Sequence, residues 1–258
     1  MLLTIDIGNS HTVIGIFNRH TIHHHWRIQT NRQHTADEIA VITHSLFALA
    51  KFAADSLHGV ILASVVPHLN GAWLAFARTL TTNPILVDHQ TATGLPILLD
   101  NPAEVGADRI VNAAAGHHLY QQALIIVDFG TAITFDCVSA RGEYLGGAIA
   151  PGMGIAIDAL GSKTAKLPRV DINIPPPQAI GTSTVTAIQS GILYGYGGLV
   201  EGLIKRLKTA MLTEQGTPKV IATGGMAVLI APYAPSLEAI EPNLTLEGLR
   251  LIHERCHG

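Results

Sequence analysis

One stretch of this sequence occurs twice, and the repetition constrains the fold more than any other feature. Leu2-Leu3-Thr4-Ile5-Asp6-Ile7-Gly8-Asn9-Ser10-His11-Thr12 recurs at a constant offset as Leu124-Ile125-Ile126-Val127-Asp128-Phe129-Gly130-Thr131-Ala132-Ile133-Thr134. In both copies an apolar run ends in Asp-apolar-Gly, and a threonine follows four residues after the glycine. The run reads as a buried strand and the glycine as its turn. Unrelated strand-turn units would also share Asp and Gly, which are common turn residues. Identity at three polar or special positions, in register with the apolar run, favours duplication. The chain is then two similar α/β domains, and if these face each other both Asp-x-Gly turns lie across one cleft.

Strand and helix signals alternate as in a mixed α/β domain. Val13–Asn18 follows the first turn as a second strand, and Thr21–Ile28 as a third. Thr35 before Ala36-Asp37-Glu38 is a helix N-cap with acids in the first turn, opening a helix to about Ala54. Val60–Val66 is a buried strand, Asn70–Leu80 a helix and Pro84–Val87 a further strand. In the second half Gly142–Ile149 closes a hairpin, Pro151-Gly152-Met153-Gly154 opens a helix, and Pro168–Pro177 is an extended loop. Val185–Leu207 is a long glycine-rich helical stretch, and Lys219–Ala222 is a strand leading into Gly224-Gly225. The two domains are expected at 1–116 and 117–258.

Charged residues make up 14% of the chain and apolar residues 48%, which leaves little charge for a lone monomer's surface. No charged residue stands between Asp171 and Glu201, so burial against a partner subunit or in a lidded pocket is expected there. Sixteen basic and nineteen acidic residues give a net charge of −3, with no basic field for nucleic acid and no polycationic face for a membrane. Mean hydropathy is +0.33, and Gly59–Ala77 lacks Asp, Glu, Lys and Arg. Pro67-His68 and Asn70 interrupt that run well short of the roughly 20 apolar residues a bilayer demands. Met1 is followed by a strand and an acid, not by a secretory leader. Cys137 and Cys256 have neither metal spacing nor the makings of a disulfide framework. A soluble cytoplasmic protein is expected.

The chemistry is expected at the turns. Gly8 and Gly130 sit where a strand ends and the chain reverses, so backbone N–H groups can face phosphate without an obstructing side chain. Asn9, Ser10, His11 and Thr12 add side-chain donors. Asp6 and Asp128 repel phosphate, so beside a nucleotide each requires an intervening cation. Taken singly, each is better read as a hairpin-turn cap, and it is their repetition as a pair that favours the cation reading. Gly161-Ser162-Lys163-Thr164 lacks the P-loop spacing, and Gly152-Met153-Gly154 has Ile157 where a dinucleotide motif needs its third glycine. Gly224-Gly225 could approach an adenine or ribose closely.

Gly106-Ala107-Asp108-Arg109 precedes the helical run Ile110–Gln122. Asp108 there is either a first-turn cap or the carboxylate that orients an acceptor hydroxyl, and the helix N-terminus suits an anionic substrate. A carboxylate in that place is a poor base, which phosphoryl transfer tolerates because the proton leaves late. Fourteen histidines, including His23-His24-His25 and His117-His118, show no catalytic metal spacing, and strand alternation divides the triplet between two faces. No Gly-x-Ser-x-Gly elbow is present.

Together these motifs resemble the type III pantothenate kinases over nearly the whole chain. The resemblance lies in Asp6-Ile7-Gly8-Asn9, Trp26-Arg27-Ile28 with Thr35-Ala36-Asp37-Glu38, Ser64-Val65-Val66-Pro67, and Asn101-Pro102-Ala103-Glu104-Val105-Gly106-Ala107-Asp108-Arg109. It continues through Asp128-Phe129-Gly130-Thr131, Gly146-Gly147 with Pro151-Gly152, the span Gly181 to Gly191, and Thr223-Gly224-Gly225. It implies an α/β fold of two ribonuclease-H-like domains, the actin-like ATPase fold, with mixed five-stranded sheets flanked by helices. It implies transfer of the ATP γ-phosphoryl group to the terminal hydroxyl of pantothenate, the first step toward coenzyme A. By the same resemblance Asp6, Ile7, Gly8, Asn9, Ser10, His11, Thr12 and Val13 hold the ATP phosphates, and Thr131 contacts ATP. Asp6 acts through Mg²⁺, and Asp128 binds a monovalent cation, K⁺ or NH₄⁺. Gly106, Ala107, Asp108, Arg109 and Thr184 hold pantothenate, with Asp108 as proton acceptor. A homodimer with the substrate site near its interface is implied too.

One position departs from the pattern. The family often has a substrate-contacting tyrosine three residues before Pro102, and this chain has Leu99. His11 stands where asparagine is common and keeps polar capacity. Two other functions share the scaffold: an exopolyphosphatase-like hydrolase with water as acceptor, and a non-catalytic regulator.

Overall fold

The computed structural model describes residues 1–211 and 216–257. The first sheet opens with an antiparallel meander, β1 (Leu2–Ile7), β2 (His11–Asn18) and β3 (Thr21–Gln29). Helix α1 (Ala36–Leu49) leads to β4 (Gly59–Ser64), which pairs parallel with the free side of β1. Helix α2 (Asn70–Leu80) and the short strand β5 (Ile85–Leu86) follow, giving the order β3-β2-β1-β4-β5. Helix α3 (Ala107–Tyr120) then leads out of the first sheet.

The second sheet repeats this plan strand for strand. A meander of β6 (Leu124–Phe129), β7 (Ala132–Val138) and β8 (Tyr144–Pro151) is followed by helices α4 (Met153–Lys163) and α5 (Thr184–Met211). Strand β9 (Lys219–Thr223) pairs parallel with β6, and after α6 (Ala227–Ile230) comes β10 (Ala239–Ile240), giving β10-β9-β6-β7-β8. The α/β class with two mixed five-stranded sheets is therefore as expected. Helix α7 (Leu244–His257) ends the described chain.

The chain forms two compact units, 1–118 with 243–258, and 119–242. The C-terminal residues, assigned by sequence to the second domain, thus belong with the first. The reason is an uncovered sheet face. Ile5, Leu62 and Trp73 lie in one apolar cluster with residues of α1 and α2, while Leu2, Phe17, Ile61 and Ala63 form another with Val111 of α3 and Leu246, Leu249 and Ile252 of α7. A β-carbon at Gly248 would strike the Val111 carbonyl, so α7 crosses α3 at backbone contact.

Local signals set the element ends. Thr35 and Glu38 form a reciprocal capping box, with Thr35 N–H donating to Glu38 Oε2 (2.8 Å) and Glu38 N–H to Thr35 Oγ1 (3.3 Å). The helix stops at Ala50, short of the expected Ala54, because Lys51 takes a left-handed φ of 54°. Among the described residues no helix is long and apolar enough to cross a membrane.

Candidate functional site

The first Asp-x-Gly turn closes β1 onto β2. Asp6 pairs with Val13 of β2 and Ala63 of β4, and is half-buried at the C-terminal end of β1. Gly8 N–H donates to the His11 carbonyl (3.0 Å), so this N–H closes the turn and is not the phosphate donor that its glycine suggested. A β-carbon at Gly8 would stand 2.9 Å from the same oxygen, which is why the residue is glycine. Asn9, Ser10 and His11 are exposed. Ile7 is fully buried, and the Thr12 hydroxyl is paired with that of Thr30 (2.9 Å). Of the four side chains expected to face phosphate, three are on the surface and Thr12 is turned inward.

Residues not anticipated from sequence complete this turn. Thr30 N–H donates to the Ser10 carbonyl (3.0 Å), and the Arg32 guanidinium donates to Asn9 Oδ1 (3.2 Å). The meander brings them there, since Gln29 at the end of β3 lies opposite His11. Arg32 adds a cation beside a turn whose strand ends in a carboxylate.

The Gly106–Arg109 motif sits at the same sheet edge. Val65 N–H continues the β1–β4 ladder by donating to the Ile7 carbonyl (3.0 Å). A β-carbon at Gly106 would stand 3.4 Å from Val65 Cγ1 and 2.5 Å from Asp108 Oδ1, so glycine there makes room for the carboxylate. Asp108 is in the first turn of α3, half-buried, and accepts from the Arg109 N–H (2.8 Å). This bond gives Asp108 the capping role in the first turn of α3.

In the second unit β6 ends in the matching turn. Asp128 lies between Thr134 of β7 and Thr223 of β9. Gly130 N–H donates to the Ala132 carbonyl (3.0 Å), so this turn is one residue tighter than the first. Two glycines wrap it. Gly152 N–H donates to the Thr131 carbonyl (3.1 Å), and Gly224, at a φ of 90°, lies so close that a β-carbon would be 2.5 Å from Asp128 Oδ1. The Gly224-Gly225 turn therefore packs on the Asp128 carboxylate itself. Thr184 opens α5 and, with Leu160, Leu167, Ala187, Ile188 and Ile192, lines an open apolar groove of about 500 Å³.

The donor chemistry suits hard cations. Mg²⁺ binds through one or two carboxylates together with phosphate oxygens and water, so the single carboxylate Asp6 beside an open turn fits it. Among the described residues no group of three or more His, Cys, Asp or Glu side chains could hold a metal ion. The histidine triplet alternates in exposure, with His23 and His25 exposed and His24 half-buried and stacked on Trp26, although a bulge brings His23 toward His24. The β2–β3 register slips between Ile16 and Phe17, and the His23 and His24 rings lie 4.4 Å apart.

Two duplicated sheets, each ending its first strand in an Asp-x-Gly turn, make up the actin-like ATPase fold. The inorganic polyphosphate/ATP-glucomannokinase of Arthrobacter sp. strain KM shares the fold, with a TM-score of 0.52 at 16% identity over 99% of this chain and 98% of that one. Within this class the sequence profile of type III pantothenate kinases matches residues 2–206, and the chain belongs to that family. Type III pantothenate kinases of Desulfatibacillum aliphaticivorans and Pelobacter propionicus are each 50% identical to it over 256 residues, 99% of this chain and 98% and 99% of theirs.

Proposed function

We propose that this protein transfers the γ-phosphoryl group of ATP to the terminal hydroxyl of pantothenate, giving 4′-phosphopantothenate, the first step of coenzyme A synthesis. Beyond family membership, one observation carries the chemistry: Asp6 and Asp108 belong to the same edge of the first sheet, joined through Val65. The turn within Asp6 to Val13 holds the ATP phosphates, chiefly through the exposed Asn9, Ser10 and His11, and Thr131 contacts ATP. Bound Mg²⁺, held through Asp6, supplies the charge that offsets the phosphates. Asp128 takes a monovalent cation, K⁺ or NH₄⁺, which removes the repulsion between its carboxylate and the nucleotide.

Gly106, Ala107, Arg109 and Thr184 hold pantothenate, and Asp108 orients its hydroxyl and accepts the proton late in the transfer. The Arg109 N–H bond to Asp108 fixes the carboxylate's direction, which is what a positioning acceptor needs. The protein acts as a cytoplasmic homodimer. That assembly is supported by Ile174 and Ile180, which are 66% and 78% exposed in the charge-free segment.

The test is ATP turnover with and without pantothenate, in potassium and in sodium buffers. Turnover should require pantothenate and be faster in potassium. Asp108→Asn should lower pantothenate phosphorylation by at least about a hundredfold with an unchanged melting temperature. Near-normal turnover by that variant removes Asp108 from the mechanism, and pantothenate-independent hydrolysis makes water the acceptor.

A further inference from the structure

The second sheet holds a carboxylate for which the phosphoryl transfer described above has no task. Asp136, on β7, is completely shielded from solvent. A charge so placed is costly unless polar partners compensate it. Thr134 Oγ1 donates to its Oδ2 (3.0 Å), and Tyr144 Oη donates to its Oδ1 (2.7 Å). The tyrosine is buried as well, and β8 is bulged just after Tyr144, at Leu145. The register slips between Cys137 and Val138, and Gly146 takes a φ of 105°. Bulges re-aim side chains, and here the re-aimed group is the hydroxyl that meets Asp136.

Thr134 stands directly opposite Asp128 in the β6–β7 ladder, so the two side chains leave the same face of the sheet. Thr223 flanks Asp128 on the other side. Three oxygen-bearing side chains thus form a row across three strands, at the end of β6 where the turn begins. A threonine hydroxyl has one proton and two lone pairs. With its proton committed to Asp136, Thr134 can offer only lone pairs to whatever lies beside Asp128. That polarity attracts a hard cation and repels a phosphate oxygen.

We propose, on the cation role given above to Asp128, that Thr134 supplies a second hard oxygen for the monovalent ion. Asp136, steadied by Tyr144, is the positioning residue that fixes the direction of the Thr134 hydroxyl. Potassium takes the lone pairs directly, and ammonium donates protons to them.

The experiment titrates K⁺ at constant ionic strength, with choline as the balancing cation. It follows both the K⁺-induced rise in melting temperature of the complex with a non-hydrolysable ATP analogue and steady-state turnover. Thr134→Val, which is nearly isosteric, should raise the half-effective K⁺ concentration about tenfold in both readouts, with KM for pantothenate unchanged. Thr134→Ser should restore the wild-type value. Asp136→Asn should shift the titration in the same direction, because an amide can donate to Thr134 and release its proton toward the ion. The proposal is overturned if Thr134→Val titrates like the wild type while Asp128→Asn loses its K⁺ response. Should Asp128→Asn also titrate like the wild type, the cation role of Asp128 falls first and the Thr134 role with it.

Discussion

A few atoms decide what each Asp-x-Gly turn can do. Gly8 is required by a fixed carbonyl and Gly224 by a fixed carboxylate, so neither can be replaced without moving backbone or ligand. Gly8→Ala should open the first turn, since the neighbour at 2.9 Å is backbone oxygen. Such a shift should raise KM for ATP roughly ten- to hundredfold, while far-ultraviolet circular dichroism stays unchanged because the turn is at the surface. Steady-state kinetics at saturating pantothenate checks this. Asp6 and Asp128 were legible in the sequence because a charged residue ending an apolar run, twice, has few explanations. The inward turn of Thr12 was not. Thr12 and Thr134 align in sequence, yet Thr12 pairs with Ile7 whereas Thr134 pairs with Asp128. A one-residue difference in turn length sends the two threonines to opposite faces of their sheets, and no pattern in the strands announces it.

At the scale of elements, period and caps located most strands and helices, but not what each helix covers. Helix α7 is the clearest case: its amphipathic pattern requires an apolar partner without saying which sheet provides it. Its docking leaves one titratable group in an unfavourable place. His253 packs where a β-carbon at Gly59 would collide with its ring, near His257 (centroids 4.2 Å apart) and His58 (6.1 Å). Burial, then the neighbouring His257 and His58, push the His253 pKa from 6.5 down to about 4, against a smaller opposing pull from Glu254. A depressed histidine pKa means that the unfolded chain binds the proton first as pH falls. The folded state is therefore penalised progressively between about pH 6.5 and 4. His58 is lowered as well, by burial first, and adds in the same direction. Thermal melts from pH 7 to pH 4.5 should show a steeper loss in the wild type than in His253→Leu. Parallel curves would mean that this cluster does not govern the acid limb.

For the whole molecule, the consequence is that the two units are unequal in covalent terms. Residues 119–242 are one continuous segment, whereas the other unit is assembled from 1–118 and 243–258. Leu244, Leu246, Leu249 and Ile252 of α7 are all buried. At about 1.5–3 kcal/mol each, their removal costs roughly 6–12 kcal/mol, comparable to the entire net stability of a domain. A chain ended after Pro242 should therefore be insoluble or lose the cooperative melt of the first unit, as measured by soluble yield and calorimetry. A variant that retains a wild-type melt would show that α3 alone can cover that face.

The same threading sets an order of events on the ribosome. Leu2 and Phe17 of the first sheet emerge long before α7, whose residues share in covering one side of that sheet. The continuous middle segment can finish folding while the opening one is still incomplete. During translation that apolar sheet face stays without its α7 cover until residues 244–257 have emerged, so chaperone contact with the nascent chain is expected to persist past the completion of the middle segment.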